Sequence, residues 1–172
     1  MSSLLFSYRL LESERYQDFG SYGLKPSKSA SPLPLQRRGL PRTPSIKVLV
    51  VDDDRAIRDV ARLVLEDAGY TVMEAANGVA ALHMLRSYQQ PLVVLLDDLM
   101  PELDGLGVLR AAAADLYIAH RCSFILMTGS ARLLSPALAP ELGPLRVQLL
   151  PKPFDADVLL ERVEQGQQVL AS

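Results

Sequence analysis

Short apolar runs alternate with amphipathic segments along the chain after Ser45, and this alternation predicts five β-then-α units. The apolar runs predict strands over 46–51, 71–75, 92–96, 123–127 and 147–150. Between them, apolar side chains recur at i, i+3 and i+4, which predicts helices over 55–68, 77–88, 106–118 and after an N-cap at Asp155.

Strands that alternate with helices indicate an α/β fold with a parallel sheet. Right-handed crossovers place helices on both faces, so we predict a doubly wound, five-stranded sheet. Ligands of such sheets bind beyond the carboxyl ends of the strands, and functional side chains are expected there.

The first 45 residues differ in composition from the rest. Ser, Pro, Gly and Arg dominate from Gly20 to Pro44, and this stretch holds too little apolar surface to offset the entropy of ordering. We therefore predict a disordered tail over 1–45 and one folded domain over 46–172. Seven basic and three acidic residues give the tail a charge of +4, whereas 11 basic and 17 acidic residues give the remainder −6. The folded part is therefore not expected to bind nucleic acid.

Cysteine content and hydropathy indicate the cellular compartment in which the protein is expected. The single cysteine, Cys122, allows no intrachain disulfide and no cysteine-rich zinc site, which favours a reducing cytoplasm. No apolar run approaches the ~20 residues that cross a bilayer. The apolar cluster at 4–6 is too short for the core of a signal peptide. We expect a cytoplasmic protein that does not associate with a membrane.

Acidic residues follow two of the predicted strands. Asp52, Asp53 and Asp54 come directly after the first strand, and Asp97 and Asp98 come directly after the third. If these two strands are neighbours in the sheet, Asp52, Asp53 and Asp97 meet in one small cleft.

A hydroxyl and an ammonium group are expected at the same edge of the sheet, because Thr128 ends the fourth strand region and Lys152 follows the fifth. We call Asp52, Asp53, Asp97, Thr128 and Lys152 the rim residues, since all lie at the carboxyl ends of strands. Two carboxylates ~4 Å apart repel by roughly 4 kcal/mol at an effective dielectric of about 20, so three of them need a counter-charge. Oxygen ligands without His or Cys suit Mg²⁺. The set fits phosphoryl transfer to a carboxylate: Asp97 attacks, Mg²⁺ and Lys152 neutralise the transferred oxygens, and Thr128 donates a hydrogen bond to one of them.

Four stretches of the chain occur in the order and close to the spacing of the receiver domains of bacterial two-component response regulators. They are VLVVDDD (48–54), LLDDLMPELDG (95–105), ILMTG (125–129) and PKPF (151–154). Because these four motifs occur together, and the combination is highly specific, the sequence over 46–172 resembles that family. The resemblance implies a flavodoxin-like sheet with strand order 2-1-3-4-5.

The resemblance also implies a role for each rim residue. Asp97 would accept the phosphoryl group, Thr128 would be the switch hydroxyl that moves towards it, and Lys152 would bind it, with a cis peptide bond to Pro153. The implied Mg²⁺ site consists of Asp53 directly, Asp52 through the outer sphere, Asp97 and the backbone carbonyl of Leu99.

A receiver of this kind is a signalling phosphoacceptor with at most slow self-dephosphorylation, and not an enzyme. The resemblance implies a sensor histidine kinase or a histidine phosphotransfer protein as the phosphoryl donor. It also implies a downstream protein target and an option to form a homodimer upon phosphorylation. No effector segment follows the last predicted helix, so we expect a stand-alone receiver.

Two features depart from the family pattern. In the family, the position about three residues before the lysine usually holds an aromatic side chain that rotates inward on activation. Leu149 occupies this position here, so we expect no such aromatic rotation. The predicted fourth helix region contains Pro136, Pro140 and Pro144, and a proline inside a helix bends or ends it. Both features alter the surface that usually carries the output.

Two other functions fit part of the pattern. In a haloacid-dehalogenase-like phosphatase, Asp52 would be the nucleophile and Asp54 the acid/base, but that class needs a further acidic pair after the lysine. A receiver fold retained only as a non-phosphorylated interaction module would not need the complete rim. In the receiver-domain hypothesis Asp54 and Asp98 have no role, and we predict that both are solvated neighbours of the site.

Overall fold

The computed structural model describes residues 46–129, 142 and 145–171. Five parallel strands form one sheet: β1 (Lys47–Val51), β2 (Val72–Ala75), β3 (Leu92–Asp97), β4 (Cys122–Thr128) and β5 (Arg146–Pro151). Their order across the sheet is β2-β1-β3-β4-β5. The predicted α/β class and the implied strand order are therefore confirmed.

The helices of the described part are α1 (Arg55–Asp67), α2 (Gly78–Ser87), α3 (Gly105–Ala113), α4 (Leu116–Arg121) and α5 (Ala156–Ala171). Short polar side chains fix where several of them begin, because they accept hydrogen bonds from the unpaired N–H groups of the first turn. The carboxylate of Asp155 accepts from the N–H of Val158 at 3.0 Å, which bears out the predicted cap. Gly69 follows the end of α1 with a φ of 93°, a conformation that favours glycine.

The predicted helix over 106–118 is wrong as a single element, because α3 ends at Ala113 and α4 starts at Leu116. The cause is Asp115, whose Oδ1 accepts hydrogen bonds from the N–H groups of Tyr117 and Ile118. An aspartate that satisfies backbone donors ahead of it competes with continuation of the helix behind it. Apolar periodicity runs across this break and does not reveal it.

The hydrophobic core lies in two layers, one on each face of the sheet. The first layer packs α2, α3 and α4 against alternate strand residues such as Leu49, Val94 and Phe124. The second packs α1 and α5 against the residues that point the other way, such as Val50 and Leu95. All six residues of β3 are buried, as expected for a central strand covered on both faces.

Two predictions fall on parts of the chain outside the described residues. These are the disordered tail over 1–45 and the proline-containing region with Pro136, Pro140 and Pro144. Within the described part, no helix is both long enough and apolar enough to span a membrane.

Candidate functional site

The register of the sheet brings the predicted rim residues to one edge. In the β1–β3 pair Val51 lies opposite Leu96, so the next residues, Asp52 and Asp97, leave the sheet side by side. Strand β4 ends at Thr128 opposite Pro151 of β5, and Lys152 follows directly. Four separate strands thus supply one group of polar side chains at their carboxyl ends.

Three carboxylates form the centre of this group. Oxygen atoms of Asp52, Asp53 and Asp97 all lie within 4.8 Å of one another. Asp52 and Asp97 are only 1% and 5% exposed, whereas Asp53 is exposed. The cluster therefore has two buried anionic groups and one that faces solvent.

The two oxygens of the Asp52 carboxylate differ, because one accepts a hydrogen bond and the other does not. Its Oδ1 accepts a hydrogen bond from the backbone N–H of Asp54 at 2.9 Å, while its buried Oδ2 has no hydrogen-bond partner. Burial, followed by the charge of Asp97, raises the pKa of Asp52 from 3.8 to about 6. An acceptor in this condition favours a bound cation over continued isolation.

The loop between β1 and α1 is tied down by Arg58, which the sequence did not mark as part of the site. Its Nη1 donates to the carbonyl oxygens of Asp52 at 2.8 Å and of Asp53 at 3.2 Å. Arg58 lies one turn into α1, so it fixes the loop backbone that carries two of the carboxylates. A single arginine on an amphipathic helix gives no pattern from which this contact could be predicted.

Lys152 balances part of the negative charge. Its Nζ donates to Oδ1 of Asp97 at 2.7 Å and lies 3.9 Å from Oδ2 of Asp52. Burial raises the pKa of Asp97, and the hydrogen bond and charge of Lys152 oppose this change. The peptide bond between Lys152 and Pro153 is cis, as the resemblance implies.

Thr128 forms a hydrogen bond with Asp98, a carboxylate for which the sequence predicted no role. Its Oγ1 lies 2.5 Å from Oδ2 of Asp98, and the two side chains are 1% and 4% exposed. The prediction that Asp98 is a solvated neighbour is therefore wrong, because the β3–β4 register places it beside Thr128. Asp54 is exposed, as predicted, and its carboxylate caps α1 through the N–H of Ala56.

The loop from β3 to α3 completes the rim. The side chain of Leu99 is 74% exposed, which leaves its backbone as the part that can serve the site. Gly105 begins α3 so close to β3 that a Cβ atom there would collide with the carbonyl oxygen of Asp97. Gly78, at the start of α2, is similarly close to the carbonyl of Leu103. Glycine at these two positions lets both helices pack against the loop.

The donors of this site fit Mg²⁺. They comprise three convergent carboxylates, one of them with a buried oxygen that accepts no hydrogen bond, and no His or Cys side chain belongs to the cluster. Hard divalent cations of small radius prefer such oxygen ligands, and a bound cation would offset the burial and the repulsion from Asp97 that together raise the pKa of Asp52.

Comparison with protein families matches residues 48–164 to the response regulator receiver domain. Response regulator MprA of Mycobacterium ulcerans (strain Agy99) is 39% identical over 122 residues, which cover 69% of this chain and 49% of the relative. MprA of Mycobacterium tuberculosis (strain ATCC 25618 / H37Rv) is 38% identical with the same coverage. The chain thus spans about half the length of the curated relatives it matches.

Solved structures give the same result. A CheY-like response regulator receiver domain protein from Methanospirillum hungatei JF-1 aligns with a TM-score of 0.61 and 26% identity, over 74% of this chain and 99% of that one. The chemotaxis protein CheY4 of Vibrio cholerae aligns with a TM-score of 0.59 and 29% identity, over 70% of this chain and 98% of that one.

Proposed function

This chain belongs to the response regulator receiver domain family, and we propose that it accepts a phosphoryl group on Asp97 in an Mg²⁺-dependent reaction. The observation that carries the proposal is the position of Asp97 between Lys152 at 2.7 Å and two further carboxylates within 4.8 Å. A nucleophilic carboxylate beside a fixed cation and a metal-binding group is the arrangement that phosphoryl transfer requires.

In the proposed reaction a carboxylate oxygen of Asp97 attacks phosphorus. The new O–P bond forms as the bond from phosphorus to the donor's imidazole nitrogen breaks, and that nitrogen retains the electron pair and takes a proton from water. The product is an acyl phosphate on Asp97 and a neutral histidine on the donor. Since the chain supplies mainly position and charge, its own side chains act by placing and neutralising the transferred group.

Each rim residue has a role in this proposal. Lys152 neutralises the phosphoryl oxygens, and Thr128 donates its hydroxyl hydrogen to one of them after transfer. When bound, Mg²⁺ would supply positive charge at the transferred group, held by the following set: Asp53, Asp52 through the outer sphere, Asp97 and the backbone carbonyl of Leu99. The ion pair between Lys152 and Asp97 supports this assignment, and so does Oδ2 of Asp52, which is buried and accepts no hydrogen bond.

The proposed donor is a sensor histidine kinase or a histidine phosphotransfer protein, as the family implies. A change at Thr128 after transfer would then alter the surface offered to a downstream protein target or to a second copy of this chain. A reducing cytoplasm, favoured by the single Cys122, is the compartment that we propose.

The test is incubation of the full chain with acetyl phosphate, with Mg²⁺ or with EDTA, followed by intact mass and hydroxylamine treatment. We expect one Mg²⁺-dependent, hydroxylamine-labile phosphoryl group, absent in Asp97→Asn and retained in Asp155→Asn, in which asparagine can still cap α5. Labelling that survives in D97N would contradict the assignment of Asp97. Continuous hydrolysis of p-nitrophenyl phosphate would instead favour the phosphatase, and no reaction at all would favour the interaction module.

A further inference from the structure

We propose that Asp98 holds the hydroxyl group of Thr128 before phosphorylation and thereby sets how strongly the phosphorylated state is favoured. The inference rests on the proposed function, because it concerns the response of Thr128 to a phosphoryl group on Asp97. Asp98 is a positioning residue in this scheme, since it acts through Thr128 and does not touch the transferred group.

The contact is built into the sheet. Asp97 of β3 lies opposite Met127 of β4, so the following pair along the two strands is Asp98 and Thr128. The backbone N–H of Asp98 donates to the carbonyl of Met127 at 3.1 Å and extends the ladder by one step. Both side chains are therefore fixed from their backbones, and both are almost completely buried.

Thr128 and Asp98 form a short hydrogen bond in which the hydroxyl group donates. Their O–O distance of 2.5 Å lies at the short end of the range for hydroxyl donors. A threonine hydroxyl has one hydrogen, so it cannot donate fully to Asp98 and to a phosphoryl oxygen at the same time. Formation of the hydrogen bond to the phosphoryl group must break the one to Asp98.

This competition weakens the response to phosphorylation by the strength of the bond that is lost. A hydrogen bond to a charged group typically corresponds to a factor of about ten or more in an equilibrium constant. The negative charge of Asp98 also repels an anion at Asp97 directly. The experiment must therefore separate the hydrogen bond from the charge.

The separation uses a double-mutant cycle between residues 98 and 128, read out as the binding of beryllium fluoride, a stable mimic of the acyl phosphate. The full chain is titrated with beryllium fluoride in saturating Mg²⁺ and followed by two-dimensional NMR, in the parent, D98L, T128A and the double variant. We expect D98L to tighten binding about tenfold when Thr128 is present and about threefold or less in the T128A background. The isosteric D98N keeps a neutral acceptor, and we expect an intermediate effect.

Two further measurements distinguish a local effect on Thr128 from a folding defect of the variants. Without beryllium fluoride, D98N should shift the methyl signal of Thr128 while the signals of residues in α1 stay unchanged. In the T128S background, which retains a hydroxyl, D98N should have the same effect on affinity as in the parent. Both variants keep side chains of nearly the original size.

Three results would overturn the inference. Equal tightening by D98L with and without the Thr128 hydroxyl would mean that charge alone is responsible. An unchanged affinity in both D98L and D98N would mean that the contact does not resist the switch. Failure of the parent itself to bind beryllium fluoride with Mg²⁺ would overturn the proposed function as well, so the two failures are distinguishable.

Discussion

The ammonium nitrogen of Lys152 lies 2.7 Å from Oδ1 of Asp97, and the lysine side chain is 29% exposed while that of Asp97 is 8% exposed. The proposed phosphoacceptor is thus paired with a cation that reaches it from the solvent side. One positive charge serves two buried carboxylates, because the same nitrogen lies 3.9 Å from Asp52. We therefore expect Lys152 to act on the stability of the site as well as on its proposed chemistry.

Replacing Lys152 by Met should separate these two effects. Without Mg²⁺ we expect the free energy of unfolding to fall by roughly 1–2 kcal/mol, less than for a fully buried pair because the lysine is partly exposed to solvent. Mg²⁺ should bind more tightly, since a competing cation is gone, while labelling by acetyl phosphate slows at least tenfold. Urea unfolding and calorimetric Mg²⁺ titration measure the first two quantities. The control is R55M, which removes only an exposed ion pair to Asp59; loss of Mg²⁺ affinity in K152M would contradict the prediction.

The pKa of Asp52 predicts how stability varies with pH in the Mg²⁺-free protein. Its folded value of about 6 lies above the ordinary value of 3.8, so the folded state holds more protons between these pH values. Stability should therefore decrease as pH rises from about 4 to 6, by up to about 3 kcal/mol. Asp52→Asn should reduce this slope, while the part due to the raised pKa of Asp97 remains, and it should stabilise the protein at pH 7 by about 1–3 kcal/mol. Urea unfolding in EDTA across this range measures both, and a stability that rises with pH equally in both proteins would exclude the explanation.

Mg²⁺ affinity should have the opposite dependence on pH. An outer-sphere carboxylate attracts Mg²⁺ fully only when it is ionised, and with a pKa of about 6 the fraction of ionised Asp52 falls from about 0.9 at pH 7 to about 0.1 at pH 5. We expect Mg²⁺ to bind about tenfold more weakly at pH 5, by calorimetry. Excess Mg²⁺ at pH 7 should also raise the unfolding midpoint of the parent by more than that of D52N.

Gly105 is expected to be essential for the geometry of the site. An added methyl group would meet the carbonyl of Asp97 and the Cα of Asp98, both parts of the backbone that cannot easily move aside. We expect Gly105→Ala to lower the free energy of unfolding by about 2–3 kcal/mol and to reduce Mg²⁺ affinity. The matched control is Gly69→Ala, which is strained by a φ of 93° but has no atom within 4 Å of the new group. This variant should lose about 1 kcal/mol and bind Mg²⁺ normally; equal loss of affinity in both would contradict the argument.

The division into a tail over 1–45 and a folded unit over 46–172 is proposed and can be tested directly. A chain that starts at residue 46 should unfold at the same urea midpoint as the full chain and bind Mg²⁺ with the same affinity. A lower midpoint would mean that the first 45 residues contribute to the folded unit.

Element order and the identity of the rim could be predicted because both depend on position along the chain. Strand ends are visible in the apolar pattern, and a parallel sheet brings them together, so Asp52, Asp97 and Lys152 could be named without a structure. The contact between Asp98 and Thr128 could not be predicted, because it depends on the register of two strands 30 residues apart in the chain. Register is decided by packing on both faces at once, and the sequence around Asp98 records only that a carboxylate follows a strand.

The dispersal of the site along the chain ties its chemistry to complete folding. Lys152 and Asp97 are 55 residues apart in sequence, and they meet only when β3, β4 and β5 have aligned. Asp52 joins them through the pairing of β1 with β3. No single unit of strand and helix contains more than a fragment of the proposed reaction centre. We therefore expect that a chain which lacks β5 cannot assemble the proposed site. If Asp97 is the phosphoacceptor that we propose, this dependence on paired strands would keep an incompletely folded chain from accepting a phosphoryl group.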